Sequence, residues 1–280
     1  MHTEEAIVAA QSDSSLSRVV RKARSVYWWG RIRLFRALHA TRPASLRTTQ
    51  RVVAGAGRAL GNSLAVAHFI SGQNGTAPFS RDSDLSRLFS DVEFDGFALR
   101  PESLAWLVRF LEMRKPRAVL EFGSGLSTLA QCAVLSRLHG PGGFRLLSFD
   151  QDAGYIQRIS DRIRGLPGSA CCRIVHAPLV PGTVAGQETQ FYDLSGGLDE
   201  HWSWLGSAEF VFIDGPFAEG PCRYATLPTV REHLASNAAF AMDDGLREKE
   251  IIAGRLWERE RINVRGVLAK GNGIMIGSVG

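Results

Sequence analysis

Beyond Pro101 the chain alternates short, mostly apolar runs with helical patterns, and no other feature limits its fold as strongly. The runs are Ala118–Phe122, Phe144–Phe149, Cys172–His176, Glu209–Ile213 and Ala238–Met242. Between them apolar residues recur at helical spacing over Thr128–Leu138, Asp152–Arg164, Tyr224–Ala235 and Arg247–Arg259. A strand that is apolar on both sides needs cover on both faces, and an intervening helix is the crossover that parallel strands require. Pro101 and Glu102 suit the first turn of a leading helix, with Leu104, Leu107, Val108 and Leu111 as its buried stripe. Two last runs, Ile262–Leu268 and Gly273–Val279, are separated only by Ala269, Lys270, Gly271 and Asn272. That link is too short for a crossover, so these strands pair as an antiparallel hairpin. The expected fold is α/β, a doubly wound, mostly parallel seven-stranded sheet ending in that hairpin.

Charge separates the rest of the chain from this domain. The protein carries a net charge of +5, which taken alone suggests a nucleic-acid or anionic-membrane partner. Residues 1–60, however, hold eleven basic side chains against three acidic ones, a local balance of +8, which leaves −3 for residues 61–280. Leu16–Leu38 reads as a basic amphipathic helix, with Leu16, Val19, Val20, Ala23 and Val26 on one side and Arg18, Arg21, Lys22, Arg33 and Arg36 on the other. Such a helix can pack on its own domain, join a second copy or lie on a membrane surface. The expected division is a basic helical extension over 1–70, a connecting region over 71–100 and the α/β domain over 101–280. Val52–Ile70 is interrupted by Arg58, Asn62 and His68 and is a poor membrane span. The four cysteines have neither zinc-site nor disulfide-framework spacing, and the N-terminus carries Glu4 and Glu5 where a secretion signal would be basic. A cytoplasmic protein, soluble or peripheral at a membrane, is expected.

Chemistry concentrates at the strand ends. The first strand runs into Gly123-Ser124-Gly125-Leu126-Ser127-Thr128, a glycine turn that lets backbone approach a ligand. A dinucleotide-binding turn would place a third glycine where Thr128 stands and no carboxylate at Glu121, so NAD is disfavoured. Asp150 ends the second strand, where a carboxylate can accept hydrogen bonds from ribose hydroxyls. Asp152 suits the N-cap of the next helix. The fourth and fifth runs end in Asp214-Gly215-Pro216 and Asp243-Asp244-Gly245.

Together, Glu121-Phe122-Gly123-Ser124-Gly125, Asp150, the later acidic strand ends and the closing hairpin resemble a class I S-adenosylmethionine-dependent methyltransferase over about residues 100–280. The resemblance implies that Gly123, Ser124, Gly125, Ser127 and Thr128, with Glu121 on the strand before them, form the methionine side of a cofactor site. It places Asp150 on the ribose and Pro178 and Leu179 near the adenine. Two departures stand out: Ser127 replaces the family's third turn glycine, and His176-Ala177-Pro178-Leu179 lacks the carboxylate that often meets the adenine amine.

Asp214, Asp243 and Asp244 fall on neighbouring strand ends in that fold, an arrangement similar to the metal site of catechol-type and macrocin-type O-methyltransferases. A divalent cation such as Mg²⁺ would relieve their repulsion and could acidify an acceptor hydroxyl. Neutralisation by Arg223 or Arg247 would relieve it equally, and local capping and turn roles for Asp244 and Asp214 are a further reading. The catechol-type lysine base is Phe217 here, and His176 is a lone strand-end histidine. Arg223-Tyr224 and Arg247 with Glu250 recur in the bacterial methyltransferase-like proteins that this chain resembles, and the resemblance implies Asp214, Arg223 and Arg247 as the candidate catalytic residues. The expected function is methyl transfer to an oxygen of a small molecule or carbohydrate. The alternatives are a non-catalytic cofactor-binding module and a nucleic-acid methyltransferase using the basic helix; the body's charge and its Asp214-Gly215-Pro216-Phe217 ending disfavour the latter.

Overall fold

The computed structural model describes residues 99–268 and 270–280. The basic helix, the Val52–Ile70 stretch and nearly all of the connecting region fall outside those residues.

Helix α1 (Pro101–Arg114) starts with proline in its first turn and buries Leu104, Leu107, Val108 and Leu111. It stops at Lys115, which adopts a left-handed conformation, and Pro116 follows. Then come β1 (Ala118–Phe122), α2 (Leu126–His139), β2 (Arg145–Asp150), α3 (Ala153–Ile163) and β3 (Cys172–His176). Next are β4 (Leu179–Val184), β5 (Gln187–Tyr192), α4 (Asp199–Leu205) and β6 (Ala208–Ile213). The chain closes through β7 (Leu234–Met242), α5 (Glu248–Arg259), β8 (Asn263–Leu268) and β9 (Ile274–Val279).

Seven strands form one sheet in the order β3-β2-β1-β6-β7-β9-β8. β3, β2, β1, β6 and β7 run parallel, while β9 pairs antiparallel with both β7 and β8. Burial accounts for the apolar runs: Val119, Leu120, Phe122, Leu146, Leu147, Phe149, Val211, Phe212 and Ile213 have no exposure at all. From β1 the chain winds outward to β2 and β3, and after β6 it winds the other way to β7. The order therefore reverses between β1 and β6, and the crevice outside their carboxyl ends is where such sheets bind ligands.

Two segments differ from expectation. Tyr224–Ala235 is not one helix. A 3-10 turn (Cys222–Ala225), a four-residue helix (Thr226–Thr229) and a second 3-10 turn (Arg231–His233) lead into β7, which begins at Leu234. Pro228 has no N–H for the Tyr224 carbonyl, and the Trp257 indole donates to that carbonyl instead at 2.7 Å. The second difference is an added hairpin, β4–β5, whose two-residue loop Ala185-Gly186 has both residues at positive φ. Its base packs on the sheet, with the Phe191 and Tyr192 rings 5.6 and 5.7 Å from Phe122.

Candidate active site

The β1 turn is built around one glycine. Gly123 has φ +91, and a Cβ there would lie 2.6 Å from the Gly215 nitrogen, so the turns after β1 and β6 meet backbone to backbone. Behind the turn, Glu121 is completely buried and accepts from Thr128 Oγ1 (2.6 Å), Ser148 Oγ (2.7 Å) and Gln131 Nε2 (2.6 Å). The Thr128 hydroxyl also accepts the Gly125 N–H at 2.8 Å. Glu121 and Thr128 therefore hold the turn from behind, by way of the opening of α2. Burial raises the Glu121 pKa to about 7, against the lowering effect of its hydroxyl donors Ser127, Thr128 and Ser148.

Asp150 is bound to the same turn. Its Oδ2 accepts from the Ser124 N–H (2.7 Å) and hydroxyl (3.1 Å), and its Oδ1 from the Asp152 N–H (2.9 Å). A carboxylate offers about four acceptor positions, so Oδ1 retains capacity for a ligand hydroxyl. Burial pushes the Asp150 pKa up, opposed by these donors. Asp152 caps α3, its Oδ1 accepting from the Tyr155 N–H at 2.8 Å.

A cavity of about 810 Å³ opens over these residues. Gly123, Ser124, Asp150, Gln151 and Tyr155 line one part of it, and Asp214, Arg223, Asp243, Asp244, Arg247 and Asn272 line another. Of the residues assigned to a cofactor, Glu121, Gly125, Ser127 and Thr128 are not among its lining. Neither are Pro178, which is exposed, and Leu179, which pairs with Tyr192 at the base of the hairpin. His176 is also absent from the lining, with Nε2 3.2 Å from the Gln151 carbonyl.

In the second part of the cavity a guanidinium sits among carboxylates. Arg223 is 5% exposed; its Nη2 lies 3.4 Å from Asp214 Oδ1, its Nη1 3.6 Å from Asp244 Oδ2 and its Nε 3.7 Å from Glu250 Oε1. Nη1 also donates to the Asp243 carbonyl at 3.0 Å. Arg247 Nη1 pairs with Asp244 Oδ2 at 3.0 Å, Asn272 donates to Asp244 Oδ1 at 2.9 Å, and the Ser103 hydroxyl donates to Asp243 Oδ1 at 2.8 Å. Burial raises the Asp214 pKa to about 6, with Arg223 pulling it down and Asp244 pushing it up. Burial also drives Asp243 well above the usual carboxylate range, and Asp214 and Asp244 add to the rise.

Asp214, Asp243 and Asp244 bring carboxylate oxygens within 4.8 Å of one another, near enough to share a cation. As arranged, most of these oxygens already have protein partners. Both Asp244 oxygens and Asp243 Oδ1 are engaged, and the Arg223 guanidinium stands between Asp214 and Asp244.

Sequence reasoning missed Tyr192, because it lies on the added hairpin. It is 4% exposed and lines the cavity, and its hydroxyl lies so close over Gly215 that a Cβ there would run into it. Sequence reasoning also missed a clamp on the loop after β6. The Phe217 N–H donates to Gln151 Oε1 (3.2 Å) and Gln151 Nε2 donates back to the Phe217 carbonyl (3.3 Å), tying the ends of β6 and β2 across the β1 turn.

No family model matches the sequence, and no curated protein matches it. Solved structures do resemble it. An SAH-bound methyltransferase from Podospora anserina aligns with a TM-score of 0.50 at 13% identity, over 85% of this chain and 98% of that one. The O-methyltransferase TomG from Streptomyces achromogenes, solved with SAM, aligns at 0.46 and 14% identity over 74% and 91% of the two chains. An O-methyltransferase from Bacillus cereus, solved with SAH, aligns at 0.46 and 12% over 77% and 97%. The strand order with its terminal hairpin is the class I S-adenosylmethionine-dependent methyltransferase fold.

Proposed function

We propose that this protein is an S-adenosylmethionine-dependent methyltransferase that modifies an oxygen of a small polar molecule, carbohydrates included. The observation that carries the reading is the shared cavity: the glycine turn bonded to Asp150 and the Asp214–Arg223 group face one space at the sheet's switch point. Its volume suits a cofactor and a small acceptor side by side.

The residues fit the cofactor. Asp150 has an acceptor position left for a ribose hydroxyl, and the close contact of Gly123 with Gly215 keeps the turn free of side chains on that side. When bound, S-adenosylmethionine supplies a methyl group already activated by its sulfonium, which leaves as the thioether. The protein's part is then mainly alignment. Asp214 is placed to take the acceptor's proton as its oxygen bonds to the methyl carbon, and a pKa near 6 keeps it largely ionised at neutral pH. Arg223 orients Asp214 and opposes charge developing on the oxygen. Arg247 and Asn272 fix Asp244 beside it.

Calorimetry with S-adenosylmethionine and its demethylated product tests the reading: saturable binding of both is expected, and binding of neither would overturn it. Methyl transfer to any member of a pooled set of hydroxylated metabolites would separate an enzyme from a non-catalytic cofactor-binding module. The cofactor site assembles from residues after 117, so removing residues 1–60 should leave that binding unchanged. The basic segment is then left for docking, dimer contact or membrane attachment. Among the described residues no helix is long and apolar enough to cross a membrane.

A further inference from the structure

We infer that the acceptor half of this site works without a divalent metal, because the Arg223 guanidinium is its resident cation. The inference rests on reading the cavity as a methyltransferase site, but its geometry stands apart from the cofactor. Three edges of the guanidinium plane each face an acidic partner. Nη2 faces Asp214, Nη1 faces Asp244 and the Asp243 carbonyl, and Nε faces Glu250. These partners come from three separate elements, namely the ends of β6 and β7 and helix α5. The arginine itself is delivered by the 3-10 turn Cys222–Ala225, whose Tyr224 carbonyl is held by Trp257.

A hard cation would need several carboxylate oxygens released at once, since Mg²⁺ demands close, near-octahedral oxygen contacts. It would have to draw Asp244 away from Arg247 and Asn272 and Asp243 Oδ1 away from Ser103, all while lying beside a buried positive charge. A guanidinium supplies the same sign of charge, spread over a planar fork that matches carboxylate geometry. Held by its carboxylates, it does not bind and acidify the acceptor hydroxyl as a divalent ion would. The acceptor's proton must therefore pass to a carboxylate, and Asp214 is the one that Arg223 holds at the cavity wall.

The test uses the full-length wild-type protein. Metal content after purification is measured, and melting temperature is followed as Mg²⁺, Mn²⁺ or Ca²⁺ is added singly and after exhaustive chelation. Calorimetry with S-adenosylmethionine runs in parallel. We expect substoichiometric metal, no cation-dependent shift in melting temperature and equal cofactor affinity with or without chelator. A saturable rise with Mg²⁺ or Mn²⁺ that chelation reverses, or one equivalent of co-purifying metal, would overturn the inference. Arg223→Met is the complementary variant. With the buried guanidinium gone, Asp214, Asp243 and Asp244, whose oxygens lie within 4.8 Å of one another, should accept a cation once the partly exposed Arg247 swings aside, and Mn²⁺ or Ca²⁺ should raise the variant's melting temperature in a concentration-dependent way that wild type lacks. A folded variant that ignores these cations also counts against the inference. Should Arg223→Met fail to fold, the wild-type measurements decide alone. Failure of cofactor binding with every metal result as expected would remove the methyltransferase reading and leave the arginine's structural role in place.

Discussion

Two nests of buried carboxylates lie at the carboxyl edge of one sheet, and they are stabilised by different means. Around β1 and β2, Glu121 and Asp150 are held by neutral donors: hydroxyls of Thr128, Ser148 and Ser124, the Gln131 amide and backbone N–H groups. Around β6 and β7, Asp214, Asp244 and Glu250 face the formal charge of Arg223, and Arg247 assists at Asp244. Oriented dipoles shape a rigid surface for a ligand of fixed structure. Opposed charges make a polar wall whose strength depends on protonation and on every partner being present. On the proposed reading, the first nest supports the cofactor half of the cavity and the second lines the acceptor half.

The sharpest way to break the comparison is to remove the central charge. Arg223→Met should cost about 3–5 kcal/mol of stability, the usual cost of leaving buried charge uncompensated, read as a lower midpoint in chemical denaturation. The matching change in the other nest acts through pH. Glu121 has its pKa raised from 4.5 to about 7, so its contribution to stability is complete below pH 4.5 and is lost as pH rises through 7. That loss is on the order of 3 kcal/mol. Glu121→Gln should flatten the fall in unfolding free energy between pH 5 and pH 8, and an unchanged slope would mean that Glu121 does not titrate there. Next in size is Asp150→Ala, which gives up a charge-assisted hydrogen bond worth about 1.5–3 kcal/mol. Calorimetry should show S-adenosylmethionine binding weakened by roughly ten- to a hundredfold, while the acceptor half is undisturbed. Tyr192→Phe should be mildest. Its hydroxyl stands over Gly215 at the cavity, so melting temperature should hold while cofactor affinity or turnover drops severalfold, about 1 kcal/mol.

What could be read from the sequence follows burial. The five parallel strands were legible because both their faces are covered, which leaves an apolar run in the sequence. The closing hairpin was legible from its four-residue link. β4 and β5 left no such trace: most of their residues are at least partly exposed on both faces, and the tight loop uses Ala185 where asparagine or glycine would have signalled it. Tyr192 was hidden with them. The misjudged helix at Tyr224–Ala235 had the right apolar spacing, but Pro228 and the Trp257 indole took its hydrogen bonding elsewhere. Asp150, Asp214, Asp243 and Asp244 could be placed in one region because strand ends in this topology converge. Ser103 and Asn272 reach the acidic group from distant parts of the chain, and no local pattern marks a partner at that separation.

The placement of β9 gives the two halves of the cavity different ages. The glycine turn, Glu121, Asp150 and the cap of α3 are all encoded before residue 156, and their later contacts, to Gly215 and Phe217, come from the loop after β6 and precede β7. The acceptor half is finished only when β9 enters between β7 and β8, with Gly245 bonding to Gly273, Leu246 to Asn272, and Asn272 reaching Asp244. During synthesis the donor side can therefore set early, whereas the acidic wall stays open to water until the latest strand arrives. Contacts of such long sequence separation form slowly, and newly made protein should acquire the capacity to bind cofactor before it acquires the capacity to use it.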